Sequence, residues 1–296
     1  MHPDQLHVPV EVAQQLIRDQ FPAWAGLPVV EGPAHGTVNA LFRIGEALGA
    51  RFPLQPRDVD STRVRLAAEA DAARRLLGAT RFPTPEPVAL GEPGPGYPLP
   101  WSVQTWLPGS VATSEDPGAS VAFAHDLAEF VRGVRTIDTA GRAFSGTGRG
   151  GDLRHHDAWK ETCFARSRRL LDVPRLREMW AVLRELPPAG GGDVMTHGDL
   201  IPGNVLVDGG RLVGVIDVGG LGPADPALDL VAAWHLLERG PRQTFRDDLG
   251  CSDVDWARGK AWALEQAMGA CWYYAASNPA MSRMGRRTLA RLMRDG

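Results

Sequence analysis

The stretch that most constrains this chain runs from Val194 to Val218. Two short apolar, β-branched runs, Val205 to Val207 and Leu212 to Ile216, flank Asp208-Gly209-Gly210, a strong hairpin signal because a tight turn between strands needs residues that tolerate positive φ. That hairpin sets Asn204 at the start of one strand and Asp217 at the end of the other, so their side chains can converge. Asp199 lies five residues before Asn204, on a loop that Pro202 and Gly203 keep from continuing as a helix. Two carboxylates and an amide oxygen on one edge are hard oxygen donors, suited to a Mg²⁺ ion that keeps waters and binds phosphate. Taken singly, Asp199 reads as a turn aspartate and Asp217 as a strand-end aspartate. Together with the hairpin they read as a site.

The chain around this stretch changes character near Trp106–Ser110. Before it, a short amphipathic helix over 10–21 precedes β-like segments at 28–30, 40–44, 50–54, 88–90 and 102–107, with a helix inserted over 61–77. After it, helices are expected over 120–136, 157–171, 175–186, 226–238, 254–276 and 280–294, broken by the hairpin segment. The expectation is a small antiparallel-sheet lobe, residues 1–107, a hinge at about 104–109, and a mostly helical lobe, 110–296.

Composition narrows the class. With 44% hydrophobic and 23% charged residues, neither disorder nor a coiled coil fits. A run of 18 or so apolar residues is lacking, and the first residues carry no leader pattern, so the expectation is a cytoplasmic protein without a membrane partner. Cys163, Cys251 and Cys271 form neither a disulfide framework nor a zinc pattern. A net charge of −3 gives no reason to expect a nucleic-acid partner. Lys160 and Lys260 are the only lysines, both in the helical part, so any site needing a cation in the sheet lobe must use arginine.

The motif pair, His197-Gly198-Asp199 with Asn204 and then Asp217-Val218-Gly219, resembles the catalytic loop and metal-binding element of protein kinases. Glycine in place of the loop arginine, followed by Gly222-Pro223-Ala224-Asp225-Pro226 and Asp229-Leu230, resembles the aminoglycoside phosphotransferase branch. The resemblance implies a bilobal, protein-kinase-like α+β fold. It implies that Asp199 accepts or orients the proton of a substrate hydroxyl, that Asn204 and Asp217 hold Mg²⁺, and that His197 braces the loop. It also implies a phosphate-binding cation on the third strand and an acid on the lobe's helix. Arg51 stands at the first position in place of lysine. Glu69 fits the second: it falls in the middle of the arc that carries Leu66, Ala72, Ala73, Leu76 and Leu77, and an acid on a buried face needs a cation. Gly36, in His35-Gly36-Thr37, is the one glycine of a poor phosphate-covering loop, and the Thr105 carbonyl and Leu107 amide are the expected purine contacts.

The implied function is transfer of the γ-phosphoryl group of ATP or GTP to a hydroxyl of a small molecule, foremost an aminoglycoside-type antibiotic. A macrolide, a choline-like or homoserine-like alcohol, or a sugar are alternatives, as is a nucleotide-binding regulatory protein without turnover. Asp229, Glu265 and Trp234 are candidate acceptor contacts, with the alternative that Asp229 braces the catalytic loop through backbone amides and that Glu265 is solvated. His155-His156 is expected as a surface pair. Trp256, Trp262, Trp272, Tyr273 and Tyr274 are expected as helix packing, and Arg283, Arg286, Arg287, Arg291 and Arg294 as a solvated helix face. Oligomeric state is not legible.

Overall fold

The computed structural model describes residues 5–32, 38–146 and 148–294. The chain forms two compact units, and the division is not a single cut. The first unit comprises Met1–Leu77, Pro83–Pro108 and the three residues Asp217–Gly219; the second comprises Gly78–Phe82, Gly109–Ile216 and Gly220–Gly296.

The first unit starts with helix α1 (Val10–Gln20), whose Ala13, Leu16 and Ile17 stripe is buried. Strands β1 (Val29–Glu31), β2 (Asn39–Ile44) and β3 (Leu48–Pro53) lead into helix α2 (Val59–Leu76), and β4 (Pro87–Gly91) and β5 (Trp101–Thr105) complete a five-stranded sheet of order β1-β2-β3-β5-β4. All neighbouring pairs are antiparallel. Period-two alternation places Phe42 and Ile44, Ala50 and Phe52, and Trp101 and Val103 on one buried face. There Phe52 stacks on Trp101 at 4.6 Å and meets Phe42 and Tyr97 edge-on. Each such side chain contributes about 1.5–3 kcal/mol by leaving water. Arg51 alternates out of that face, toward α2.

The second unit runs through β6 (Ser110–Val111), α3 (Val121–Arg135), α4 (Asp157–Ser167), α5 (Val173–Leu183), β7 (Val194–Thr196), β8 (Val205–Asp208), β9 (Arg211–Val215) and β10 (Gly222–Ala224). Helices α6 (Ala232–Leu236), α7 (Arg239–Leu249), α8 (Asp253–Tyr273) and α9 (Pro279–Arg294) follow. Strands β6, β8 and β9 form one small sheet and β7 pairs with β10. The expected hairpin is present: Asp208 pairs with Arg211, and Gly209 and Gly210 have φ of 55° and 71°. A two-residue turn with both central residues at positive φ matches the strand twist, and glycine adopts it without steric cost. Helix α8 is buried over most of its circumference, from Arg258 to Cys271, because other helices of the unit pack around it. None of the described helices is long and apolar enough to cross a membrane.

Three features differ from the sequence reading. The helix expected over 226–238 is a short turn at Leu228–Val231 followed by α6, and Leu237 is extended before α7 restarts the helix. Pro241, tolerated only in a first helical turn, sits in the first turn of α7 and explains the restart. His156 is buried while His155 is exposed, so the two are not a surface pair. Arg291 is 2% exposed and not part of a solvated face: it donates to the carbonyls of Trp234 and His235 and pairs with Glu238 at 2.7 Å, satisfying the end of α6.

Candidate active site

In the first unit Arg51 is the organising cation. One guanidinium nitrogen, Nη1, donates to Glu69 at 3.4 Å, and the other, Nη2, donates to Asp217 at 3.1 Å. Arg65, one turn before Glu69 on α2, holds the second Glu69 oxygen. Glu69 and Arg51 are mostly buried, whereas the Asp217 side chain is 54% exposed. Two arginines therefore offset the desolvation of one carboxylate, and the fork of Arg51 divides between two acids instead of closing on one. Asp217 holds a left-handed backbone, φ 61°, which aspartate tolerates better than most residues. Gly219 is required by close approach: a Cβ there would lie 2.7 Å from Glu69 Cγ. A cavity of about 160 Å³ opens beside the pair, lined by Arg51, Glu69, Ser102, Gln104, Val218 and Gly219 among others.

The other expected nucleotide contacts are less developed. Thr105 ends β5 and is locked to Glu86, its amide donating to the Glu86 carbonyl and its hydroxyl accepting from the Glu86 amide, both at 2.9 Å. The half-buried Leu107 amide makes no hydrogen bond among the described residues. Gly36 lies outside the described residues.

In the second unit the loop from His197 to Asn204 is fixed from below. Asp229 is fully buried and accepts the amides of His197 and Gly198, both at 2.8 Å. Its oxygens are thus committed to the loop, so Asp229 is a brace and not an acceptor contact. The His197 ring bridges the two sides of the segment: Nε2 donates to the Ile216 carbonyl at 3.3 Å and Nδ1 accepts the Asp199 amide at 3.3 Å. Asn204 Nδ2 donates to both the carbonyl and the side-chain Oδ2 of Asp199, at 2.9 and 3.0 Å. That orients the amide by its nitrogen and leaves Asn204 Oδ1 without a partner among the described residues.

Asp199 is itself held by two residues the sequence reading did not single out. Its Oδ1 accepts from Gln266 Nε2 at 2.6 Å and from Arg149 Nη2 at 3.1 Å. Gln266 was detectable as a neutral polar residue inside the apolar α8 run; Arg149, in the glycine-rich 146–151 loop, carried no signal beyond loop composition. The result is a carboxylate, 36% exposed, presented in one orientation by three donors. A carboxylate so held can accept a hydrogen bond, and then a proton, from an alcohol.

Two expected acceptor contacts are placed elsewhere. Glu265, one position before Gln266, is buried and not solvated: His156 Nδ1 lies at 3.2 Å, Lys160 Nζ at 3.8 Å and Arg149 Nε at 4.0 Å. Burial pushes its carboxyl up, but the charge of Lys160, the His156 hydrogen bond and Arg149 outweigh it and hold the carboxyl down at about 2. Trp234 is 1% exposed, tilted against Trp256 at 4.7 Å with Arg242 over its ring, so it is core packing. No group of three or more His, Cys, Asp or Glu able to hold a metal occurs among the described residues.

A sequence model of the phosphotransferase enzyme family matches residues 29–262. The aminoglycoside 3'-phosphotransferase of Streptomyces fradiae is 31% identical over 197 residues, 62% of this chain and 69% of that protein. An aminoglycoside 3'-phosphotransferase of Escherichia coli is 39% identical over 62 residues, so this chain matches only 23% of the length of that curated relative. Among solved structures, the GDP complex of an aminoglycoside 2'-phosphotransferase aligns with a TM-score of 0.69 at 17% identity, covering 98% of this chain and 100% of that one. A macrolide 2'-phosphotransferase from Brachybacterium faecium aligns with a TM-score of 0.61 at 19% identity, covering 95% and 97%. At such identities the structures show a shared fold.

Proposed function

This chain belongs to the phosphotransferase enzyme family, and on that premise we propose that it transfers the γ-phosphoryl group of ATP or GTP to a hydroxyl of a small molecule. The observation that carries the reading is Asp199, a partly exposed carboxylate held by Asn204, Gln266 and Arg149 on a loop braced by Asp229. In this reading Asp199 takes the proton of the acceptor hydroxyl, and residues 1–107 form the nucleotide lobe, with Arg51 as phosphate cation steadied by Glu69. Because the donor is an intracellular nucleotide, the enzyme would work in the cytoplasm.

Mg²⁺ fits the donor set. Asp217 offers an exposed carboxylate and Asn204 an amide oxygen that has no protein partner among the described residues, both hard ligands. When bound, the ion neutralises phosphate charge.

For the acceptor, the names of the curated relatives support an aminoglycoside-type antibiotic. A less cationic acceptor, such as a macrolide, is favoured by one observation: three acids of the second unit, Asp225, Asp229 and Glu265, are already engaged by the protein itself. Asp229 binds amides, Glu265 is enclosed by Lys160, Arg149 and His156, and Asp225 is held by Arg258 and Trp262 at 2.8 and 2.9 Å. The test is a phosphorylation assay with Mg²⁺ and ATP or GTP against kanamycin, gentamicin, streptomycin and a macrolide, reading the phosphoryl adduct by mass spectrometry. A polycationic acceptor will show a KM that rises steeply with ionic strength, and an apolar one will not. No adduct and no Mg²⁺-dependent nucleotide hydrolysis under any condition would leave the nucleotide-binding regulatory protein as the better reading.

A further inference from the structure

Behind Asp199 the second unit contains a line of polar side chains that runs from the half-buried Gln266 to the buried His235 and Thr288. Gln266 of α8 donates to Asp199 Oδ1 at 2.6 Å, Gln266 Oε1 lies 3.0 Å from His235 Nε2 of α6, and His235 Nδ1 lies 2.8 Å from Thr288 Oγ1 of α9. Thr288 is fully buried and His235 is 3% exposed. Apart from a long contact from the Thr288 hydroxyl to Met284 sulfur at 3.7 Å, no other hydrogen bond to either side chain occurs among the described residues.

The line has a direction. A carboxylate only accepts, so Gln266 must turn its nitrogen toward Asp199 and its oxygen toward His235. His235 must then carry its proton on Nε2, and its bare Nδ1 must accept the Thr288 hydroxyl. One tautomer and one amide orientation satisfy every link. The ring stays neutral at physiological pH: burial pushes it down to about 4, Arg149 and Arg291 add to that, and the Gln266 bond and Asp199 oppose it.

We propose that Gln266 is a positioning residue for Asp199, and that Thr288 acting through His235 keeps the Gln266 amide from flipping. The proposal rests on the reading of Asp199 as proton acceptor. Its physical content is a two-state element. Without the Thr288 hydroxyl, His235 is free to hold its proton on Nδ1, and Nε2 then accepts. Gln266 can then satisfy the histidine only by turning its nitrogen there and its oxygen to Asp199. Two acceptors at 2.6 Å repel, and the carboxylate rotates away from the position that meets the hydroxyl.

The experiment compares Gln266→Met, Thr288→Val and Thr288→Ser with the parent enzyme. Turnover is read with Mg²⁺-ATP and kanamycin, and without an acceptor as Mg²⁺-ATP hydrolysis by water. Gln266→Met and Thr288→Val should lower kcat by about 10- to 100-fold, as expected for misplacing a reacting group by an ångström or less, with the KM for ATP unchanged. Thr288→Ser, which keeps the hydroxyl, should recover most of the turnover. Loss of melting temperature in Thr288→Val with kcat unchanged would mean simple packing and overturn the proposal. Asp199→Ala separates the two readings. If it abolishes turnover while Gln266→Met and Thr288→Val retain it, the relay alone is wrong; if Asp199→Ala is itself active, the base assignment falls and the relay's role with it. A histidine-selective ¹⁵N spectrum tests the geometry without turnover: His235 must be neutral with its proton on Nε2, and a proton on Nδ1 overturns the proposal.

Discussion

A base that acts on an alcohol and a cation that acts on a nucleotide should separate in kinetics, and single residues test this. The Asp199 side chain is held within the second unit by Asn204, Gln266 and Arg149. Asp199→Ala should therefore lower kcat by about 10²- to 10⁴-fold while leaving nucleotide affinity nearly unchanged, measured by steady-state kinetics beside nucleotide titration calorimetry. Arg51 should behave in the opposite way. Its two nitrogens serve two acids, so Arg51→Ala releases Asp217 and leaves Glu69 to Arg65 alone, and Arg51→Lys, with one ammonium, can satisfy only one of the two. Both variants should raise the KM for nucleotide, the alanine more. In a double-mutant cycle Arg51→Ala and Glu69→Ala should be non-additive, with a coupling of about 0.5–3 kcal/mol; strict additivity would mean that the 3.4 Å contact does nothing in solution.

At the scale of elements, the hairpin and the glycine after Asp217 carry the site. Gly219 admits Glu69 because it lacks a Cβ, and the obstacle to adding one is the Glu69 stem, 2.7 Å away. Gly219→Ala should displace Glu69 and mimic its loss, raising the KM for nucleotide several-fold without the kcat effect of Asp199→Ala; a KM equal to that of the parent would mean that α2 yields freely. This part of the chain was legible in the sequence because its determinants are local: Asp-Gly-Gly forces the turn, and the spacing from Asn204 to Asp217 follows from the strand lengths. The Arg51–Glu69 contact was legible for a related reason, since an acid centred on an apolar helix arc demands a cation; that Arg65, one turn away, shares the carboxylate was not foreseen. Helix α7 was not, because it begins at the awkward Arg239-Gly240-Pro241 and draws its stability from burying Phe245 and Arg242 in tertiary contacts. Periodicity marks which face of α8 or α9 turns inward, but not which residue it meets there. Gln266 and Arg291 were therefore invisible as partners even though their helices were placed correctly.

Over the whole molecule, acids and arginines nearly balance at a net charge of −3, and what matters is where the pairing is buried. Most ion pairs of the second unit have at least one exposed partner and contribute little. The group around Glu265 is different, because Glu265, His156 and Lys160 are all removed from water. Lys160 is fully buried, which pushes its amine down, and its ammonium also donates to the Glu265 carbonyl at 2.6 Å. The Glu265 carboxyl, held at about 2, lies well below the unfolded value of about 4.3. A depressed folded-state carboxyl binds its proton more readily in the unfolded chain. Its contribution is thus fully present above about pH 5 and is lost as the pH falls from there toward 2. Glu265→Gln keeps the shape and deletes the charge, leaving Lys160 without its carboxylate. The variant should melt clearly below the parent at pH 7, and the gap should narrow steadily as both are acidified from pH 5 to pH 3, because only the parent has this charge to lose. Scanning calorimetry across that range decides it: a gap that stays constant with pH would show that Glu265 stabilises the unit by shape and hydrogen bonding, and that its ionisation is the same folded and unfolded.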